Sequence, residues 1–413
     1  MDTLDYTDIP DTNQIPEFAR KIHSGVALDD LVIAVQLNPG QYAASCSDAR
    51  CLDSPTPGIV YLDLDDLAEF NEPIHAGFLA CPHARVVMWA TSPPSVLVAE
   101  KHDTIPPVLD DMAQIVGVDA HVVDLTDTSK LKRTLSGGGA CLVKQDECGA
   151  GTLAVGFTLM QTAAALLVLE KMAKVYWEAQ YVGGAKPLNR VEARLMHAIF
   201  QKKYSKMEQN ATHQSATDLK RTIDDEELAL REAIVAVGKQ MLAENLVQGT
   251  WGNISVQLDD RFMLVTPSGL EYDLLTPYDI VRVDMGSGAY EGGLVPTSEH
   301  AIHAALLKGH DDIRSVIHTH PVASSVFAAA YAPLEVTDEA DRALLGGDVA
   351  VAAYGLPGSK KLARGVVAAI DENRACVMAN HGTLVCGTSL DDALEKCRLV
   401  ERLAAERIEA LRK

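Results

Sequence analysis

Residues 70–93 of this chain can be laid over residues 298–321 without a gap, and no other feature limits its fold as much. Phe70-Asn71-Glu72-Pro73-Ile74-His75-Ala76 falls on Ser298-Glu299-His300-Ala301-Ile302-His303-Ala304, and Ala84 to Pro93 falls on Asp312 to Pro321. Further on, Ala140-Cys141-Leu142-Val143 parallels Ala375-Cys376-Val377-Met378, and Gly151-Thr152-Leu153 parallels Gly382-Thr383-Leu384, the second pairing with an insertion of four residues. Each copy ends in a long Ala/Leu/Glu-rich segment of helical character. Self-similarity over this distance predicts a tandem of two like domains. A chain of 413 residues can give each its own core. The polar stretch 206–222 lacks an apolar period and is the expected linker between a first domain, 1–205, and a second, 223–413.

The second half shows its elements best. Leu228, Ala233, Ile234, Val237, Met241 and Leu242 recur at helical spacing over Asp224 to Leu246, with Asp224 as cap. Short strands are expected at Ile254–Leu258, Phe262–Thr266 and Ile280–Asp284, separated by turns such as Pro267-Ser268-Gly269. A helix should run from Glu299 to Lys308, capped by Thr297 or Ser298. Strands follow at Ser315–Thr319 and Ala375–Ala379, and Ser389 should cap a closing helix that reaches about Arg412. The expected fold class is α/β: tandem three-layer α/β/α domains around mainly antiparallel sheets.

Charge narrows the partners. Fifty-seven acids against 36 bases give a formal charge of −21, a field that repels nucleic acid and anionic membranes. Apolar runs such as Ala163 to Leu169 are too short to span a bilayer. The polar, acidic stretch Met1 to Gln14 has no export-signal pattern, and the eight cysteines are unpatterned, Cys46/Cys51 and Cys141/Cys148 included. Reduced thiols and a cytoplasmic location are therefore expected. A small anion would have to be held locally, by backbone amides, hydroxyls or a metal.

Three histidines suit such a metal. In Ser315-Val316-Ile317-His318-Thr319-His320-Pro321 the two histidines stand at i and i+2 of a strand, so both imidazoles leave one face and can chelate one ion, with Pro321 ending the ladder. His381 follows another apolar strand and precedes Gly382, which allows close backbone approach. Three neutral imidazoles leave zinc an open position, as in catalytic sites. Glu299 opens a helix, where its ordinary role is to stabilise the first turn; beside a bound substrate it could instead take a proton. The small-residue loops around Gly252-Asn253 and Ser268-Gly269, with Thr297-Ser298 at a helix start, could hold phosphate without lysine. Taken singly, each of these loops also reads as an ordinary turn.

Together these segments resemble, in order, the class II aldolase/adducin family over residues 223–410, and within it the L-fuculose-1-phosphate aldolase branch. The matching elements are Gln248-Gly249-Thr250-Trp251-Gly252-Asn253-Ile254-Ser255, Thr266-Pro267-Ser268-Gly269, Pro296-Thr297-Ser298-Glu299, His318-Thr319-His320 and Asn380-His381-Gly382. The resemblance implies one zinc ion on His318, His320 and His381, and phosphate on Asn253, Ser268, Gly269, Thr297 and Ser298, with Gly252 in the same loop. It implies that Glu299 shuttles the proton of a metal-stabilised enediolate. The reaction would be cleavage of a ketose 1-phosphate to dihydroxyacetone phosphate and an aldehyde. Related epimerases usually carry aspartate where Glu299 stands.

One departure affects the proton donor for the leaving aldehyde. The family branch places a tyrosine from a neighbouring subunit there, whereas this chain has Ala340 in the segment Glu335–Arg342, with Asp338, Glu339, Asp341 and Tyr331 as nearby substitutes. In the first copy the ungapped overlay sets Ala90 and Ser92 against His318 and His320, and Asp146 or Ala150 against His381, so that copy is expected to be metal-free. The family's four-fold ring further implies a homodimer of tandem chains in a pseudo-four-fold assembly. The alternatives are a related sugar-phosphate lyase or epimerase, such as a decarboxylase or dehydratase, and a non-catalytic adducin-like interaction module.

Overall fold

The computed structural model describes residues 27–45, 58–136, 138–145, 149–207, 222–371 and 373–413, and the isolated residues 12, 15, 16, 18, 19 and 22. Cys46, Cys51, Asp146, Cys148 and most of the expected linker 206–222 lie outside them. The chain forms two compact units: Met1–Trp177 with Asn189–Phe200, and Glu178–Leu188 with Gln201–Lys413.

The first unit runs β1 (Asp30–Asn38), β2 (Gln41–Ser45), β3 (Ile59–Leu62), α1 (Leu64–Phe70), α2 (Glu72–Ala80), β4 (Val86–Thr91), α3 (Pro93–Lys101), β5 (Thr104–Ile105), α4 (Asp110–Ile115), β6 (Ala120–Asp124), α5 (Thr128–Leu135), β7 (Gly139–Gln145), β8 (Gly149–Gly156), α6 (Leu159–Ala179) and the greater part of α7 (Arg190–Met207), which passes to the second unit at Gln201. Its strands are ordered β3-β2-β1-β4-β8-β7-β6-β5. The second unit runs α8 (Asp225–Ala243), β9 (Asn253–Gln257), β10 (Phe262–Val265), β11 (Val281–Asp284), α9 (His300–Gly309), β12 (Ser315–Thr319), α10 (Val322–Ala330), α11 (Glu339–Leu345), β13 (Ala350–Ala352), α12 (Lys360–Ile370), β14 (Ala375–Met378), β15 (Thr383–Gly387) and α13 (Leu390–Arg412). Its order is β11-β10-β9-β12-β15-β14-β13. Apart from β5 the two orders coincide, and in both the pairing is antiparallel except for one pair, β6 with β7 and β13 with β14.

Each unit has three layers. In the second, Ile302 and Leu306 of α9 and Leu362, Val366 and Ile370 of α12 pack on Met263, Val265, Val283, Val316, Cys376 and Leu384, one face of the sheet. Alternation along the strands sends Leu264, Ile317 and Val385 to the other face, where α8, α10 and α13 lie. In the first unit Ile74 and Phe78 of α2 cover Val87, Trp89, Leu153 and Val155 in the same manner. Cys81, Cys141, Cys376, Cys386 and Cys397 are buried free thiols. Among the described residues no helix is long and apolar enough to cross a membrane.

The segment Glu178–Leu188 docks within the second unit. Lys186 N–H donates to the Ala329 carbonyl at 2.8 Å, and its own carbonyl accepts from Asn380 Nδ2 at 2.7 Å. The Tyr331 hydroxyl donates to Asn380 Oδ1. The residue before His381 is thereby fixed from two sides in a left-handed conformation, at φ 55°.

Candidate active site

The active-site candidates meet where β9 and β12 run side by side. Asn253 lies opposite His318 and Ser255 opposite Val316, so Asn253, Ser255 and His318 leave the same face, toward α9. The start of α9 differs from the sequence expectation. The helix begins at His300, Glu299 occupies the cap position, and no side chain caps it. The Glu299 carboxylate is turned away to Asn253, whose Nδ2 donates to Oε2 at 2.9 Å. Asn71 holds the same place ahead of α2 and does the ordinary work, its side chain accepting from Ile74 N–H at 3.0 Å.

The three histidines converge. His318 Nε2 is 2.7 Å from His320 Nε2 and 3.0 Å from His381 Nε2, with all three residues buried. His318 Nδ1 donates to the Thr383 carbonyl at 2.8 Å, and that tautomer leaves a lone pair on Nε2. Glu299 Oε2 is 3.3 Å from His318 Nε2, and Oε1 is 3.2 Å from His381 Nε2. Among the described residues this trio is the only cluster of three or more His, Cys, Asp or Glu side chains with ligand atoms so placed. Burial pushes the Glu299 carboxyl up, but His318, His381 and the Asn253 amide outweigh it and hold the group well below the usual carboxylate range.

Two glycines make the close approach to β12 possible. A Cβ on Gly382 would stand 2.5 Å from the Thr319 carbonyl oxygen and 3.0 Å from the His318 ring. Gly252, at φ +85°, would bring a Cβ within 2.6 Å of the His318 carbonyl oxygen. Only a residue without a side chain fits either place.

The expected phosphate loops are stitched together by backbone bonds and by the Thr266 hydroxyl, which accepts from Ile254 N–H. Ile254 and Thr266 exchange hydrogen bonds, Thr297 N–H donates to the Thr266 carbonyl at 3.1 Å, and Ser268 N–H donates to the Val295 carbonyl at 2.9 Å. Gly252, Asn253, Ser268, Gly269, Thr297 and Ser298 thus lie on three adjoining segments, Ser298 exposed and Ser268 and Gly269 half-buried. Asn253 is buried and its side chain is committed to Glu299 and His303. Of the acids near the expected proton-donor position, Asp338 caps α11 and Asp341 pairs with Arg402, whereas Tyr331 bonds to the residue before His381.

The sequence overlay of the two copies is one residue out on the strand. Trp89 pairs with Leu153 as His318 pairs with Leu384, and Ala90 pairs with Thr152 as Thr319 pairs with Thr383. Gly151 approaches the Ala90 carbonyl and the Trp89 ring as Gly382 approaches the Thr319 carbonyl and the His318 ring. Trp89 and Thr91, not Ala90 and Ser92, therefore stand where His318 and His320 stand, because a one-residue shift exchanges the faces of a strand. The buried Trp89 indole fills the place of the His318 imidazole. Opposite it, Val32 and Ala34 replace Asn253 and Ser255.

Sequence reasoning did not assign Ser255, His303 or Thr383 to the site. The available signal was spacing: His303 lies one helical turn after Glu299, and Ser255 lies two residues after Asn253.

Residues 232–408 match the family described as "Class II Aldolase and Adducin N-terminal domain". A 5-methylthioribulose-1-phosphate/5-deoxyribulose-1-phosphate aldolase of Rhodospirillum rubrum is 34% identical over 179 residues, 43% of this chain and 80% of that protein. An L-fuculose phosphate aldolase of Haemophilus influenzae is 36% identical over 180 residues, 43% of this chain and 81% of its own length. A solved L-fuculose 1-phosphate aldolase structure aligns over 44% of this chain and 86% of its own at 32% identity, with a TM-score of 0.43. The site segments lie in the matched region, in the order in which the resemblance places them, and this chain belongs to the class II aldolase/adducin family.

Proposed function

We propose that the second unit is a divalent-metal-dependent aldolase that cleaves a ketose 1-phosphate to dihydroxyacetone phosphate and an aldehyde. The observation that carries this reading is the convergence of three imidazole Nε2 atoms beside a buried glutamate. The donor set fits a cation. The His318 Nε2 lone pair faces its two neighbours, and Glu299 Oε1 is buried without a hydrogen-bond donor. His318, His320 and His381 would hold the ion, with zinc preferred and iron, cobalt or manganese compatible. Such an ion supplies Lewis acidity toward a carbonyl oxygen.

The chain's own residues do the rest. Glu299, kept charged, accepts a substrate proton on one carboxylate oxygen and returns it, while the Asn253 amide holds Oε2. The Ser268, Thr297 and Ser298 hydroxyls orient the phosphate, since the Ser268 and Thr297 amides are spent holding the segments together. Burial of Glu299 and the histidines limits competing water. Tyr331, tied to the residue before His381, is the first residue to test as donor to the leaving aldehyde.

The relatives' names point to deoxyketose 1-phosphates as the substrate class. Purified protein with added zinc should release dihydroxyacetone phosphate from L-fuculose 1-phosphate or 5-deoxyribulose 1-phosphate. Failure on both, with turnover of a phosphorylated aldonate, would replace the aldolase reading. We further propose that the first unit arose by tandem duplication and lost catalysis. The shared strand order and the apolar residues at its equivalent site support this. Two chains would then form a homodimer with four like units.

A further inference from the structure

We infer that His303 is a positioning residue for the Glu299 carboxylate, acting through Asn253 and itself set by Ser255. The inference rests on the reading of Glu299 as proton carrier. Glu299 and His303 are one helical turn apart, and Asn253 and Ser255 are alternate residues of β9, so two side chains from the helix start meet two from the strand. The contacts run in sequence. Ser255 Oγ is 2.6 Å from His303 Nδ1, His303 Nε2 is 2.5 Å from Asn253 Oδ1, and Asn253 Nδ2 is 2.9 Å from Glu299 Oε2.

Proton bookkeeping allows one direction only. A carboxylate accepts, so the Asn253 amide must present its NH₂ to Glu299 and its oxygen to His303. That oxygen also accepts, so the proton of His303 sits on Nε2. Nδ1 then has a lone pair, which takes the Ser255 hydroxyl proton. All four residues are buried, and burial lowers the His303 pKa to about 3, so the ring is neutral and has a single proton to place. Without that proton donor the Asn253 amide could turn its oxygen toward Glu299, replacing attraction with repulsion.

The first unit gives an internal comparison. Where Trp89 has replaced the histidine ligand, Val32 and Ala34 have replaced Asn253 and Ser255, and Asn71 has replaced Glu299. A histidine, His75, is still found at the helix position of His303, half-buried. The polar strand residues are absent where the carboxylate is absent, which fits a network whose purpose is to aim that carboxylate.

The test begins with nitrogen-resolved NMR of histidine-labelled, zinc-loaded protein, assigned by comparison with His303→Gln. His303 should be the neutral Nε2–H tautomer; an Nδ1–H tautomer or an imidazolium at neutral pH would overturn the inference. The second arm is kinetic, using whichever of L-fuculose 1-phosphate and 5-deoxyribulose 1-phosphate is cleaved faster. His303→Leu should lower kcat by ~10–100-fold, a usual loss for a partner one step from the reacting groups, with zinc content and KM unchanged. His303→Gln, which can still donate to Asn253, should recover most of that loss. Equal losses in both variants would mean a packing role. A Glu299→Gln control separates the two readings: if it turns over normally, the proton-carrier reading fails. If it is slow while His303→Leu is unimpaired, positioning by His303 fails.

Discussion

Glu299 and Asn71 hold the same place before a helix, but only Asn71 caps one. A helix start without a side-chain cap forgoes on the order of 1 kcal/mol, and here the carboxylate is directed at His318 and His381 instead. Glu299→Gln should keep zinc and phosphate binding while slowing turnover by ~10²–10⁴, the usual contribution of a placed acid or base; normal kcat at saturating substrate would move the proton to another group. Gly382→Ala tests the close approach of Gly382 to the end of β12. Its new methyl meets the Thr319 backbone, so unfolding should become easier by ~1–3 kcal/mol and zinc should be held less tightly, as calorimetry and elemental analysis would report. The histidine pair could be read from sequence because strand alternation alone brings His318 and His320 to one side. His303 could not, since among Ala301, Ile302 and Ala304 it reads as a core residue until β9 is set opposite it.

At the scale of elements the sequence was legible in type and less so in register. The strand Ser315–Thr319 and the last helix, Leu390–Arg412 with Ser389 as cap, appear as expected. The ungapped overlay put Ala90 at the place of His318 because it lacked the single-residue gap needed before β4, and that gap decides which face Trp89 occupies. The glutamates at equivalent places on α6 and α13, Glu170 buried and Glu401 half-buried, could not be read from sequence either. Glu401 accepts from Ala323 and Ser324 N–H at 2.7 and 2.8 Å, supplying the cap that Pro321 cannot. Glu170 accepts from Ser92 Oγ at 2.5 Å. Burial raises the Glu170 carboxyl above its ordinary 4.5 despite the Ser92 bond. Between that value and the raised one the folded state binds more protons than the unfolded, so stability should fall as pH rises through the window. Calorimetry from pH 5 to 8 should show a flatter dependence for Glu170→Gln than for the parent; identical slopes would place the linkage elsewhere.

Over the whole molecule, two units share one strand order apart from β5, while the three histidines lie in the second alone among the described residues. The full chain should bind one zinc ion. Chelation should abolish cleavage, added zinc should restore it, and His318→Ala should leave no tightly bound metal; a second ion surviving that substitution would mean a site in the first unit. Light scattering should give twice the 44.4 kDa chain mass, and a fully active species of single mass would remove the homodimer. The likeness of the two units was legible because the residues around the strand ends repeat. The division of the chain was not, because Glu178–Leu188 belongs to the second unit although Asn189–Phe200 returns to the first. That interleaving limits how the gene can be rearranged. A crossover or truncation placed in the polar stretch 206–222, where sequence suggests a clean seam, would deliver residues 223–413 without the Lys186 carbonyl that holds Asn380 beside His381. The second unit is therefore not severed cleanly at that seam, and a chain begun there would have to find another partner for Asn380.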